Sequence, residues 1–226
     1  MKKNNFRKYF SALLILFVGS ACNDFLDINE NPNSPTEADV QLVLPQAITA
    51  TASVANQFNT YGGHFGGFIA NAGGFSGFGN LLNYNLQPTD YNALWVITYQ
   101  DPLADLQYII DKTEGVDELS FFNAAARIIK VYNFQKLVDA FGDIPYSQAL
   151  KGNEGVNSPQ YDNDEQIYQD LVSQLDIAIT LIDEAQFPLR LTRAFDPLFG
   201  SRSNTERESK DQMLDWKRFA NSLKLR

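Results

Sequence analysis

The segment from Leu119 to Phe141 constrains the fold of this chain more than any other. It reads LSFFNAAARIIKVYNFQKLVDAF, and its only charged residues are Arg127, Lys130, Lys136 and Asp139. The helix that this stretch predicts is apolar on almost every side, and such a helix is covered by neighbours on more than one face. Gly142 is a typical residue to end it, and Pro145 prevents its continuation. The chain therefore needs other helices to surround this one.

Helical patterns also precede this segment. Ser34, Pro35 and Glu37 are typical of a capped helix start, and Pro45 is expected to kink or restart that helix. A second helical pattern covers residues 89–111, with a break or bend expected at Pro102 because proline lacks the amide proton that a helix needs. These patterns place helices on the N-terminal side of the apolar segment.

Two further helices are predicted on the C-terminal side. Asp162 and Glu165 form a capping-box pattern, and Ser209 is expected to cap the last helix. Apolar residues then recur with helical spacing at Ile167, Leu171, Leu175, Ala178 and Ile182, and again at Met213, Trp216, Ala220 and Leu223. The last pattern reaches Arg226 without a stop signal. The sequence thus predicts an all-α fold of paired antiparallel helices with long irregular loops, incomplete at the C-terminus.

The N-terminus has the three parts of a bacterial export signal. Basic residues come first, an apolar run follows over residues 10–18, and small residues occupy positions 19–21. The apolar run is about half as long as a helix that spans a bilayer. We therefore predict a signal peptide over residues 1–21.

The single cysteine of the chain, Cys22, directly follows these small residues. The arrangement resembles a lipobox, in which the cysteine sulfur is lipidated, although Gly19 replaces the usual aliphatic residue. Several acyl chains, such as palmitate, anchor a protein stably where one does so only marginally. We predict lipidation of Cys22 and a lipidated tether over residues 22–35. Ordinary secretion with cleavage after Ala21, or a buried free thiol, are the alternatives.

The charge of the chain excludes some partners. Without residues 1–21, 14 basic side chains remain against 27 acidic ones. Nucleic acid requires a basic surface, and so does electrostatic adhesion to anionic lipid. The content of 44 % apolar and 20 % charged residues is that of a globular protein. Residues 36–226 are therefore expected to form one helical domain that binds no nucleic acid.

Residues 61–88 differ in composition from the rest of the chain. They contain eight of the 14 glycines and six aromatic residues, and we expect irregular loop or helix ends there. Aromatic faces stack against the apolar faces of sugars, and side-chain amides bind sugar hydroxyls, which makes these residues a candidate ligand-binding surface. The candidate ligand-binding residues are Phe75, Phe78, Asn80 and Tyr84. Alternatively, these aromatics fill the core where helices meet, as is expected of Trp95 and Trp216.

Signatures of catalysis are missing from the sequence. The one histidine, His64, lies among glycines and aromatics and is more typical of packing than of a ligand or a catalytic triad. The stretch GGFSGFG fails as a nucleophile elbow, because Phe78 stands where glycine is needed. No phosphate-binding loop or calcium loop is present. The sequence predicts no enzyme, no metal site and no cofactor.

Three stretches, in chain order, carry a resemblance to a known family. They are CNDFLDINENPN, ARIIKVYNFQKLVDAFGDIPYSQAL and WKRFANSLKLR. Together they resemble the SusD/RagB-type outer-membrane nutrient-binding lipoproteins, and the resemblance covers nearly the whole chain. Full members of that family run well past the last stretch. Residues 36–226 are therefore expected to be the N-terminal part of a helical nutrient-binding domain.

The resemblance implies a fold and a function. The fold is built on tetratricopeptide-like helix pairs with a more irregular binding part. The protein is attached to the outer membrane through Cys22, exposed at the cell surface, and binds a glycan or another nutrient. It passes this ligand to a SusC-type TonB-dependent transporter, without catalysis or an obligatory cofactor.

Other function classes stay open on the sequence. One is a helical scaffold or assembly lipoprotein without ligand binding, or a non-functional truncated remnant. Another is a surface glycosidase, since a pair of carboxylates is available by chance among 27 acidic residues.

Overall fold

The computed structural model describes residues 37–73, 77–87, 89–200 and 206–226, with only the backbone described over 206–210. The predicted signal peptide, Cys22 and the tether over 22–35 lie outside the described residues. Residues 39–226 form one unit, and the description that follows is of that unit.

The unit is helical, as the sequence predicts. The helices are α1 (Val40–Phe65), α2 (Gly79–Leu82), α3 (Asn92–Thr98), α4 (Ala104–Thr113), α5 (Ser120–Phe141), α6 (Asp164–Glu184) and α7 (Glu206–Lys224). A π-helical turn (Tyr99–Leu103) joins α3 to α4, and 3-10 turns occupy Asp117–Leu119 and Gly152–Glu154. Two short strands, β1 (Ile144–Pro145) and β2 (Tyr161–Asp162), pair antiparallel and were not predicted.

Helix α5 lies at the centre of the core. It packs against α1, α4, α6 and α7, and 14 of its 22 residues are buried. Gly142 follows with a φ of 74°, which favours glycine, and its amide donates to Val138 O at 2.9 Å. The predicted end of the helix is therefore confirmed. Within the described ranges, no helix is both long and apolar enough to cross a bilayer.

Ion pairs show that α6 and α7 run antiparallel. Lys217 contacts Asp183 near the end of α6, whereas Lys224, two turns later in α7, contacts Asp176, two turns earlier in α6. Side-chain contacts give the same reversal between α4 and α5 and between α5 and α6. The predicted antiparallel helix pairs are confirmed.

The stripes predicted for α6 and α7 face the core. Ile182 is half-buried and the other stripe positions are buried, namely Ile167, Leu171, Leu175, Ala178, Met213, Trp216, Ala220 and Leu223. The predicted N-cap at Ser209 is wrong, because α7 has already begun at Glu206.

Helix α1 begins later than predicted. Residues 37–39 are not helical, and Ser34 and Pro35, where the start was predicted, lie outside the described residues. The Asp39 carboxylate instead accepts the Gln41 amide at 2.9 Å and caps a helix that begins at Val40. The helix continues through Pro45 without a restart, at the loss of one backbone hydrogen bond.

Helix α6 also begins differently, since Asp162 does not cap it. The Asp162 carboxylate accepts the Tyr146 amide at 2.9 Å and the Ser147 amide at 2.8 Å. The first helical amide, of Asp164, is bound instead by the Asp143 carboxylate at 3.0 Å. Both acids therefore tie the start of α6 to the chain that follows α5.

The predicted break at Pro102 takes the form of a π-helical turn. Pro102 is buried within Tyr99–Leu103, between α3 and α4. Because proline has no amide proton, a local change of helical period avoids an unmade hydrogen bond at this place. The turn makes α3 and α4 two separate helices.

Candidate functional site

The glycine-rich segment begins at the C-terminal end of α1. The Gly66 amide donates to Gly62 O at 2.8 Å, and Gly67 has a φ of 74° that side-chain-bearing residues rarely adopt. Among the described residues between this turn and Asn83, the helical segment is the four-residue helix α2. The prediction of irregular loop and helix ends is confirmed for the described part of residues 61–88.

A pocket of about 270 Å³ opens where this segment meets α1 and α3. We call it the aromatic pocket, and it is lined by Tyr61, Gly77, Phe78, Asn80, Leu81, Thr89, Asp90, Tyr91, Asn92 and Ala93. The Tyr61 ring lies 5.7 Å from Phe78, edge to face, and 5.0 Å from Tyr91. Three aromatic rings therefore surround a small space.

His64 packs against Phe78, one of the residues that line the aromatic pocket. Its ring stacks on Phe78 at a centroid distance of 4.1 Å, and its Nδ1 lies 2.8 Å from Thr60 O. A carbonyl oxygen only accepts, so Nδ1 carries the proton. The side chain is buried, and its role is packing, as the sequence indicated.

Tyr91 has an unusual backbone conformation. Its φ of 67° lies in the left-handed region, where a bulky residue is strained, and strain of this kind clusters at binding sites. Burial, followed by the nearby Asp90 and Tyr61, raises the pKa of Tyr91. The hydroxyl therefore stays protonated at neutral pH and can donate a hydrogen bond.

The pocket combines these rings with polar groups. Asn80, Thr89, Asp90 and Asn92 line it together with the tyrosines. Asp90 also accepts the Gln87 amide at 2.7 Å, which fixes the turn before α3. Stacking faces beside amides and hydroxyls suit a neutral ligand rich in hydroxyl groups. In the described part of the chain, no cluster of metal-binding side chains occurs.

A second aromatic surface lies close by, and we call it the Tyr161 platform. Tyr161 is 66 % exposed and stacks on Trp95, with ring centroids 6.0 Å apart and planes at 24°. Trp95 rests in turn on Phe141, edge to face at 5.2 Å. Pairing of Tyr161 with Pro145 in the β1–β2 bridge positions the backbone that carries this ring.

Helix α3 joins the two surfaces. The Trp95 amide donates to Tyr91 O at 3.2 Å, so the two aromatic residues are one helical turn apart. Tyr99 continues the row at 5.3 Å from Trp95, and its hydroxyl donates to Pro145 O at 2.6 Å. The aromatic pocket and the Tyr161 platform thus form one band along α3.

The structure describes three of the four predicted ligand-binding residues, and it brings only two of them together. Phe78 and Asn80 both line the aromatic pocket. Tyr84 lies apart from them, 67 % exposed and edge to face against Phe65 at 5.0 Å. Phe75 lies outside the described residues. Filling of the core does not explain Phe68, which is 90 % exposed.

Sequence reasoning missed other members of the band. Trp95 was expected in the core but is only half-buried, beneath Tyr161. Tyr61 and Tyr91 flank the glycine-rich segment, and this position was the only signal for them. Nothing local marks Tyr161, which reaches Trp95 through a strand pair that the sequence does not reveal.

Comparison with known proteins completes the description of the site. Residues 32–226 match the SusD-like family profile described as "starch-binding associating with outer membrane". A SusD/RagB family protein from Bacteroides thetaiotaomicron has 22 % identity and a TM-score of 0.60, over 80 % of this chain and 42 % of that one. A chitin-binding protein has 25 % identity and a TM-score of 0.61, over 82 % of this chain and 37 % of that one. The chain spans less than half the length of both. The comparison with curated proteins gave no match.

Proposed function

The chain belongs to the SusD-like family, and from this premise we propose that it captures a glycan at the bacterial cell surface. The observation that carries the proposal is the aromatic band along α3. It offers a pocket of about 270 Å³ beside an exposed stacked tyrosine. A saccharide unit enters the aromatic pocket, and a neighbouring unit stacks on Tyr161. No catalytic step is part of this function.

The pocket and the platform favour an oligosaccharide over a single sugar. Tyr91 and Trp95 are one helical turn apart, which corresponds to about 5 Å of helix rise. A ligand with consecutive rings can therefore contact both surfaces at once. Because Tyr161 is held by the β1–β2 bridge, little conformational freedom is lost on binding.

The setting of the protein is also part of the proposal. The export signal and the lipobox-like residues before Cys22 support a lipid anchor in the outer membrane. The family resemblance supports hand-over of the bound glycan to a SusC-type TonB-dependent transporter. Binding is non-covalent, so the ligand is passed on unchanged.

Binding of neutral oligosaccharides to the purified protein tests the proposal. Maltooligosaccharides and chitooligosaccharides are titrated by calorimetry against the wild type, Tyr161→Ala and Asn80→Ala. We expect one of these glycans to bind and each substitution to weaken it about tenfold, since both side chains are exposed and their loss leaves the fold intact. Phe68→Ala, which removes a ring that is 90 % exposed and does not line the aromatic pocket, should leave this affinity unchanged. Equal affinity in all variants would contradict the site.

Lipidation at Cys22 has its own test. Fractionation of cells should place the wild type in the outer membrane, and mass spectrometry should find acyl chains on the N-terminal cysteine. Cys22→Ala should move the protein to the soluble fraction, because one peptide tether without lipid does not hold it. Membrane retention of Cys22→Ala would contradict the anchor while leaving glycan binding untouched.

A further inference from the structure

A second cleft, of about 800 Å³, opens between the end of α6, the loop over residues 185–190, and α7. We call it the α6–α7 cleft. Its volume lies in the range of small-ligand sites. Apolar side chains form much of its wall, namely Phe121, Ile182, Met213 and Leu214. Polar and charged groups converge on the same space, namely Asp183, Gln186, Arg190 and Lys217.

The loop over residues 185–190 is held in place from outside the cleft. The Asp117 carboxylate accepts the Gln186 amide at 3.1 Å and the Phe187 amide at 2.9 Å. The Leu189 amide donates to Glu118 O at 2.7 Å. Three hydrogen bonds therefore fix a segment that has no secondary structure of its own.

This fixed loop presents an aromatic ring to solvent. Phe187 lines the cleft and is 85 % exposed. A large apolar side chain on a pinned backbone gains little from packing here, but it gives a ligand a preorganised stacking face. Exposed aromatic rings of this kind are typical of recognition surfaces.

The cleft has a charge opposite to that of the chain. Lys217 and Asp183 neutralise each other across a contact of 2.5 Å. Arg190 is exposed and has no ion-pair partner among the described residues, so the lining has one net positive charge. The whole chain has a formal net charge of −9. An anionic group is therefore favoured in the cleft, and a guanidinium binds a carboxylate in a planar, bidentate manner.

The α6–α7 cleft and the aromatic band lie at opposite ends of α5. Phe121, in the first turn of α5, lines the cleft, whereas Phe141, the last residue of α5, supports Trp95 of the band. Twenty residues of helix separate these two rings by about 30 Å. One short oligosaccharide does not reach from one site to the other.

We propose that the α6–α7 cleft is a second saccharide site, specific for a sugar with a carboxylate, such as a hexuronate unit. The sugar ring stacks on Phe187, and its carboxylate pairs with Arg190. The Asp183 carboxylate accepts hydrogen bonds from the sugar hydroxyls, and the Gln186 amide both donates to them and accepts from them. The choice of a sugar over another carboxylate rests on the proposed glycan-capturing function, but the cleft uses residues separate from the band.

The test compares a charged ligand with its neutral counterpart. Trigalacturonate and its fully methyl-esterified form, which keeps the rings and removes the charge, are titrated by calorimetry against the purified protein. Arg190→Gln and Phe187→Ala each remove one element of the site, and both side chains are exposed. Arg193→Gln, at an exposed arginine of the same connection, is the matched control, and Tyr161→Ala reports any binding of the ligand at the band instead.

The proposal predicts that trigalacturonate binds at least fivefold more tightly than its ester. Arg190→Gln and Phe187→Ala should each weaken trigalacturonate binding about tenfold, and Arg193→Gln should leave it unchanged. No binding, equal binding of both ligands, or loss in Tyr161→Ala alone overturns the cleft as an acidic-sugar site.

The outcome is separable from that of the proposed function. Neutral glycans binding at the band, with no trigalacturonate bound at the cleft, overturn only this inference. If trigalacturonate binds at the cleft and no neutral glycan binds at the band, the result supports the acidic-sugar site and contradicts the role proposed for the band.

Discussion

Asp196 is a buried carboxylate that joins the loop before α7 to the helix itself. It accepts hydrogen bonds from Trp216 Nε1 at 2.8 Å and Gln212 Nε2 at 2.7 Å. It also accepts the amides of Leu198 and Phe199, at 2.9 and 3.0 Å. No motif marked this residue in the sequence, because its donors come from two segments separated along the chain.

Asp196→Ala should lower the free energy of unfolding by at least about 3 kcal/mol, since it leaves buried donors without an acceptor. Urea unfolding followed by tryptophan fluorescence measures the loss. Asp211→Ala, at an exposed position of the same helix, should change the free energy by no more than about 0.5 kcal/mol. A loss of less than 1 kcal/mol in Asp196→Ala would show that the network is dispensable.

Lys130 has its ammonium in a poorly solvated position on α5. It donates to Gln107 Oε1, and Nζ lies 5.7 Å from the Phe134 ring. Burial, and next the nearby Arg127, lower the pKa of Lys130 to about 8. Between about pH 8 and 10 the unfolded chain therefore binds a proton at this residue that the folded chain has lost, and stability rises with pH.

This rise should be visible as a gain of about 1–2 kcal/mol in unfolding free energy from pH 8 to pH 10. Burial raises the pKa of Tyr99 and of Tyr146, so these residues oppose the gain only above about pH 10. Lys130→Met should abolish the rise. An equal rise in wild type and variant would assign it to another group.

Among the connecting elements, the link between α5 and α6 is held by two carboxylates, and Asp162 is the one that makes more contacts. Asp162 holds the turn at Tyr146 and Ser147 while its strand places Tyr161 on Trp95. Burial raises the pKa of Asp162, but the hydroxyl and amide of Ser147 and the amide of Tyr146 outweigh it and bring the pKa below the usual range.

Because the pKa of Asp162 is lower in the folded chain, this residue makes the free energy of unfolding fall as the pH falls. An aspartate in the unfolded chain has a pKa of about 3.9, so the stabilisation is fully present above about pH 5 and is lost as the pH falls through the lower folded value. Asp162→Ala should therefore be less stable than the wild type at pH 6, and the difference should shrink as the pH falls below about 4. A difference that stays constant over this range would contradict the role of the charge.

Sequence periodicity predicted the helices far better than it predicted their ends. The stripes of α6 and α7 repeat locally, and burial follows such repeats directly. A predicted capping side chain can bind a tertiary partner in place of its own helix. The Asp162 carboxylate does so, because it accepts the Ser147 amide of a distant turn. The band along α3 was predicted only at Phe78 and Asn80, since Tyr161 joins it from 66 positions beyond Trp95 along the chain.

For the molecule as a whole, α5 is the element that every large helix of the unit contacts. Phe134 lies at its centre, 1 % exposed and edge to face with Tyr146 at 4.7 Å. Because α1, α4, α6 and α7 lose their common support together, we expect residues 39–226 to unfold in a single transition. Separate repeats with independent stability are not expected.

Phe134→Ala should lower the unfolding free energy by about 3–5 kcal/mol through the cavity it leaves. For each protein, the urea midpoint measured by circular dichroism should equal the one measured by tryptophan fluorescence, and the midpoint of the variant should be lower than that of the wild type. Phe68→Ala, at a ring that is 90 % exposed, is the control and should be nearly neutral. Two separated transitions would contradict a single cooperative unit.

The loop pinned by Asp117 has a consequence for exchange with solvent. Its amides at Gln186, Phe187 and Leu189 all donate hydrogen bonds, although the segment is neither helix nor strand. In deuterated water these amides should exchange slowly, as helical amides do, beside a side chain that is fully accessible to probes. Asp117→Ala should speed exchange at Gln186 and Phe187, whereas Leu189, which donates to a backbone carbonyl, should keep more of its protection.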